Sequence, residues 1–215
     1  MGHMATTKGE LTRQAILEAA ITRFGRDGYR ASAVADIARD AGVGGTVAYA
    51  YFPNKEALFL AALDEDAAAV IQEGLTSIIE DPVIEDWRQT LIFTLVGAVE
   101  GHPLARRVLA GLEPEVTERV LEIPALSELR KAITERIRAG QLAGSVRTDI
   151  DPASIGNGFV SIVLSLLMSV VQVGRSAALA YGTDVAAVFQ AALDRTPAVP
   201  RAPAPAGRRD SRGVS

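Results

Sequence analysis

The residues best suited to chemistry lie between positions 44 and 55. Gly44-Gly45-Thr46-Val47 sets two residues without side chains before a hydroxyl and a branched apolar group, and Tyr49, Tyr51 and Lys55 follow. Bare backbone N–H groups at a helix start can approach a phosphate or a base edge closely. Thr46 offers a hydroxyl, and Val47 suits a thymine methyl group. Phenol and ammonium groups are phosphate-contact types, which position a protein on a duplex without reading it. This is binding chemistry. No carboxylate pair stands beside a histidine or a metal-spaced partner, and Gly42, Gly44 and Gly45 follow a helical pattern, not a strand. The expectation is a non-enzyme that needs no metal and no cofactor.

Such residues need a frame. Ala33 to Phe52 reads as a short helix, a Gly42-Val43 turn and a second short helix, the grammar of a helix-turn-helix. Ser32 is placed to cap the first, whose buried face is Val34, Ile37, Ala38 and Ala41. Ala48 and Phe52, one turn apart, face the same core, which leaves Thr46 and Ala50 outward with Val47 and Tyr49 on the flanks. The DNA-facing set is therefore Ser32, Ala33, Gly44, Gly45, Thr46, Val47, Tyr49, Tyr51 and Lys55. A preceding helix carries the stripe Leu17, Ala20, Ile21, Phe24 and ends at Gly28; after Pro53, Asn54 caps a long helix over 55–80.

The remainder reads helix after helix. Helices are predicted around 87–100 and 104–110, over 113–142 with an interruption at Pro124, from Pro152 to Val173, and from a cap at Thr183 along Val185, Val188, Phe189, Ala192 and Leu193. The fold class is all-α, with about nine or ten helices. With 48% hydrophobic residues a sizeable core is possible, and without cysteine neither disulfides nor thiolate metal sites are. Met1-Gly2-His3-Met4 looks like an expression remnant, and no signal peptide is read at the start. The uncharged stretch 155–173 carries Asn157, Ser161, Ser165, Ser169 and Gln172 nearly on one face, which suits a buried amphipathic helix better than a membrane span. Net charge is −4, unevenly spread: 7 basic and 6 acidic residues up to Glu56, 11 and 19 over 57–196, and 4 and 1 in 197–215. Only the two ends are electrostatically suited to DNA. The last segment, rich in Pro, Ala, Gly and Arg, is expected to be a disordered tail.

The stretch Thr12 to Phe59 resembles the DNA-binding domain of the TetR family. The matching residues are Arg13, Ala15-Ile16-Leu17, Ala19-Ala20, Phe24, Gly28-Tyr29, Val34, Ile37-Ala38, Ala41-Gly42-Val43, Tyr49, Tyr51-Phe52-Pro53 and Lys55-Glu56-Ala57-Leu58. It departs where the family usually has serine (Gly44), glycine (Thr46) and a larger apolar residue (Ala48). The resemblance implies a three-helix head over 10–54, a ligand-binding and dimerisation body over 55–196, and the tail 197–215. It implies a cytoplasmic homodimer on palindromic operator DNA, a repressor released by an apolar small molecule. An activator, or a helical interaction module without DNA binding, are the alternatives. Trp87, Phe93, His102 and Phe159 are the expected ligand contacts; each aromatic could equally fill core, and His102 could serve a helix end. In the family the last two helices of two subunits usually pair, which points to Ser161, Ser165, Ser169, Val188 and Phe189 as the dimer interface. The serine stripe suits either close helix approach or a mildly polar pocket.

Overall fold

The capping box that opens the first helix sets the chain's direction: Thr7 Oγ1 accepts from the Glu10 N–H at 3.2 Å while the Glu10 carboxylate accepts from the Thr7 N–H at 2.6 Å. In the computed structural model, described for residues 7–79, 87–114 and 121–194, nine α-helices follow one another. They are α1 (Lys8–Ala31), α2 (Val34–Asp40), α3 (Gly45–Tyr51), α4 (Lys55–Ile79), α5 (Trp87–Ala98), α6 (Pro103–Leu109), α7 (Pro124–Ala143), α8 (Pro152–Val173) and α9 (Arg175–Leu193). A 3-10 turn, Val99–Gly101, leads into α6. The first three make a helix-turn-helix head, and the others form a helical body.

The head packs as its apolar spacing requires. Leu17, Ala20 and Phe24 are buried along α1, Val34, Ile37 and Ala38 along α2, and Ala48 and Phe52 beneath α3. Gly28 (φ +85°, ψ 171°) interrupts α1, and Gly42 (φ +71°) turns the chain between α2 and α3. Asn54 Oδ1 accepts from the Ala57 N–H at 2.7 Å and caps α4. The Phe59 ring on α4 meets the edges of Phe24 and Tyr29, with centroids 5.1 and 5.2 Å away, which fastens the connecting helix to the head.

Two expectations are corrected, at Ser32 and at Thr183. Ser32 does not cap α2: its buried hydroxyl donates to the Gly28 carbonyl at 2.8 Å, and Ala33 takes the N-cap position without a side-chain bond. At Pro124, where a break is expected, α7 begins, because proline suits the first turn, where no N–H is needed; residues 115–120 lie outside the described part. Thr183 lies inside α9, which starts eight residues earlier at Arg175, since the alanine-rich run before it has high helix propensity. The expected tail 197–215 also lies outside the described residues.

By length and composition α8 could cross a membrane. Here Phe159, Val160, Val163, Leu166, Leu167 and Val170 are buried against the other helices. Asp151 starts it by accepting from the Ser154 N–H at 2.9 Å. On the outer face, Ser161, Ser165 and Ser169 donate to the carbonyls four residues back at 2.9 to 3.0 Å.

The end of α1 is wedged against α6. A Cβ on Gly28 would stand 2.5 Å from Arg107 Nη2 and 2.8 Å from Glu113 Oε1, whereas one on Gly42 would meet open space. Gly28→Ala should therefore destabilise the fold by about 3 kcal/mol and Gly42→Ala by about 1 kcal/mol in urea unfolding. Equal losses would show that the Arg107–Glu113 contact is irrelevant.

Candidate nucleic-acid interface and body cavity

Helix α3 has no side-chain cap. Gly44, its N-cap, has only a backbone role: its carbonyl accepts from the Val47 and Ala48 N–H groups at 2.9 and 3.3 Å. A Cβ on Gly45 would meet nothing within 4 Å, so the start of the helix is sterically open. With Ala48 and Phe52 inward, the outer surface consists of Thr46, Val47, Tyr49, Ala50 and Tyr51. Tyr49 is 52% exposed, Val47 41% and Tyr51 37%. Ala33 is exposed at the start of α2, but Ser32 has turned its hydroxyl inward and leaves this set.

Tertiary packing adds residues that the reading of 44–55 missed. The Arg13 guanidinium lies over the Phe52 ring at 5.4 Å, and a Cβ on Gly9 would lie 3.5 Å from the Tyr51 hydroxyl. The exposed start of α1, with Lys8 and Arg13, thus borders α3. No local signal links residues so far apart; only α1 packing on α3 does. Lys55 is used differently from expectation. Its ammonium donates to the Arg30 carbonyl at 3.2 Å and lies 4.5 Å from the Tyr29 ring centroid, so it braces the last turn of α1. Arg23 is held by Asp40 at 2.6 Å, and Arg39 pairs with Asp36.

The body holds a partly open cavity of about 70 Å³ walled by α4, α5, α6, α7 and α8. Among the described residues its lining is aliphatic, including Leu63 and Val70 from α4, Val108 from α6, Leu126 from α7 and Val163 and Leu167 from α8. Neither an aromatic ring nor a polar side chain among the described residues reaches it. Trp87, Phe93, His102 and Phe159 lie elsewhere. Phe159 is buried between Phe189 and Trp87, with centroids 4.5 and 5.8 Å away, and the Arg136 guanidinium lies 5.2 Å from the Trp87 centroid. Phe93 packs beside Gly182. The bulky rings fill the junction of α5, α8 and α9, and smaller branched side chains leave the space. Phe189 accordingly faces inward, away from any dimer surface, while Ser161, Ser165, Ser169 and Val188 face outward beside Ile162 and Tyr181.

Two carboxylates on α4 tie the walls together. Asp66, only 4% exposed, accepts from the Leu104 and Ala105 N–H groups at 3.0 and 2.8 Å. Asp64 accepts from the Ala125 N–H at 2.8 Å. Helices α6 and α7 both begin with proline after a residue that makes no side-chain cap (His102 and Ile123), so α4 supplies the missing caps from outside. Residues two apart on a helix diverge by about 200°, which puts α6 and α7 on opposite flanks of α4. His102 Nδ1 lies 2.9 Å from Asp66 and Nε2 lies 3.2 Å from Glu73. Farther along, buried Glu113 pairs with Arg107 and accepts from the Tyr29 N–H at 3.2 Å, joining α6 to the head. Asp66→Ala should cost about 3 kcal/mol and Asp64→Ala about 1 kcal/mol by chemical denaturation. A loss for Asp66→Ala no greater than for Asp64→Ala would refute its buried capping role.

Residues 16–62 match the family model described as bacterial regulatory proteins, tetR family. The chain is 28% identical over 184 residues to the HTH-type transcriptional repressor AcnR of Corynebacterium glutamicum, covering 82% of this chain and 90% of that protein. It is 25% identical over 170 residues to the repressor of that name from Corynebacterium diphtheriae, covering 77% and 84%. A crystal structure of the transcriptional regulator FadR from Bacillus subtilis, in complex with stearoyl-CoA, superposes with a TM-score of 0.66 at 19% identity, covering 83% of this chain and 98% of that one.

Proposed function

The chain belongs to the TetR family of bacterial transcriptional regulators, and from that premise we propose a ligand-released repressor that grips a palindromic operator as a homodimer in the cytoplasm. In this reading residues 10–54 bind DNA and residues 55–196 bind the ligand and dimerise. The observation that carries it is the two-sided build of α3: Ala48 and Phe52 anchor it while Thr46, Val47, Tyr49 and Tyr51 stand outward. Two such helices about 34–36 Å apart would enter successive major grooves. Repression is supported by the two corynebacterial relatives, both named as repressors.

The dimer would form on the outer face of α8 and α9, through Ser161, Ser165, Ser169 and Val188. The serine hydroxyls are satisfied within their own helix, so a second helix can approach them closely without stranding a donor.

The aliphatic cavity suits a hydrocarbon-rich inducer, and the stearoyl-CoA bound by the Bacillus neighbour has a long chain of that kind. At about 70 Å³ the space holds only a short piece of chain, so a longer ligand has to part its walls, α4 and α6 among them. Since α6 is joined through Arg107 and Glu113 to the last turn of α1, parting the walls shifts the heads. An inducer that prefers the shifted state by about 100-fold contributes ~2.7 kcal/mol to release.

In mobility-shift titrations, Tyr49→Phe with Tyr51→Phe should weaken all duplexes alike, by about tenfold, through lost phosphate contacts. Thr46→Ala or Val47→Ala should instead narrow the gap between the preferred duplex and others. A wild-type chain that prefers no duplex would sink the repressor reading. Lys55→Ala is unsuited to this test, because it also unbraces the Arg30 turn. Ser165→Arg should give a folded monomer in light scattering; an unchanged dimer would refute the interface.

A further inference from the structure

We propose that His102 is a positioning residue that locks α6 to α4 only while it carries a proton, so that rising pH frees α6 and favours the ligand-opened state. The coupling to ligand rests on the cavity reading above, but the lock does not.

The geometry is the main evidence. The imidazole bridges two carboxylates, with Nδ1 2.9 Å from Asp66 Oδ1 and Nε2 3.2 Å from Glu73 Oε1. An ionised carboxylate only accepts, and a neutral imidazole has a single N–H. With both carboxylates ionised, both contacts can be hydrogen bonds only if the ring is an imidazolium. On losing the proton, one ring nitrogen would turn its lone pair toward a carboxylate oxygen. The other oxygen of Asp66 accepts from the Leu104 and Ala105 N–H groups. Those are the first donors of α6, since Pro103 has none.

The position matters as much as the chemistry. Leu63, Ala67 and Val70 of α4 face Ala105, Val108 and Leu109 of α6 across the cavity. The bridge therefore closes one of the seams that a ligand larger than the cavity can open. Besides Asp66 and Glu73, α4 carries Asp64, which caps α7, and Glu65 beside them in the chain. Glu100 lies on the preceding 3-10 turn, and Arg106 and Arg107 lie on α6, with Arg107 paired to Glu113. On α1, Arg26 and Asp27 bind each other at 2.7 Å.

Burial pulls the imidazole's pKa down, but hydrogen bonding and charge from Asp66 and Glu73 outweigh it and hold the pKa above the ordinary 6.5. A pKa raised by folding means that the lock contributes fully below 6.5 and is lost as pH climbs through the folded value. By linkage, a ligand that opens the seam must release a proton, and its affinity must grow with pH over that window.

The full chain can be followed by NMR from about pH 6 to about pH 9, the range in which a raised histidine titrates. The His102 ring should titrate above 6.5, and Glu73→Gln, at an exposed position, should lower that value. Amide protection of Leu104 and Ala105, corrected for intrinsic exchange, should fall about tenfold along the same curve. Amides within α7 should not follow, and His102→Gln should remove the pH dependence. A ring that titrates at or below 6.5, or protection that ignores its titration, overturns the lock. With 1-decanol as the aliphatic probe, calorimetry should show tighter binding and proton release as pH rises. Binding that is independent of pH overturns the coupling. No binding at any pH counts against the aliphatic-ligand reading, while the exchange data still decide the lock.

Discussion

A carboxylate as deeply buried as Asp66 has to be surrounded by donors, and those donors come from elements that would otherwise separate. Two are the leading N–H groups of α6, and a third is His102. Much of the molecule's organisation follows from this requirement. Helix α6 has proline first and no cap of its own, so it is held at its start by a side chain of the helix that also leads out of the DNA-binding head. Asp64 does the same for α7 two residues earlier. The connecting helix is thus a spine that caps the walls of the cavity, and movement of a wall has to be registered along it.

The head shows how a chain of net charge −4 can approach DNA. Arginines that would suit phosphate are engaged within the head: Arg23 by Asp40, and Arg39 by Asp36. What α3 shows outward is phenol, hydroxyl and methyl groups. Such a surface depends less on long-range attraction and more on fitted contact, because neutral hydrogen bonds decay over a shorter distance than charge. The rigidity of the head then matters, and it comes from the Phe24–Tyr29–Phe59 ring cluster and from Lys55 seated on the Arg30 carbonyl.

The cavity follows another logic. Its walls are branched aliphatic side chains that fill space closely without directing a ligand by hydrogen bonds. Selectivity inside it can rest only on shape and on the energy of parting the helices. That energy is set in part at the seam between α4 and α6, which is why a polar bridge outside the cavity bears on what the cavity admits.

The amino-acid sequence alone determined the features whose causes are local. The stripe of α1 and its stop at Gly28, the α2–turn–α3 unit and the span of α8 from Asp151 to Val173 rest on apolar periodicity, glycine at positive φ and caps a few residues away. Even local signals misled where two structures share one signature: an exposed threonine inside α9 looks like a cap at Thr183, and a serine before α2 looks like one at Ser32. Tertiary structure alone decided which rings fill core and which aliphatic faces leave a void, so Trp87, Phe93 and Phe159 lie away from the cavity and Phe189 turns inward. It also set the roles of His102, Lys55 and Arg13, whose partners lie 36, 25 and 39 residues away in the chain. Periodicity shows which face of a helix is buried; only packing shows against what.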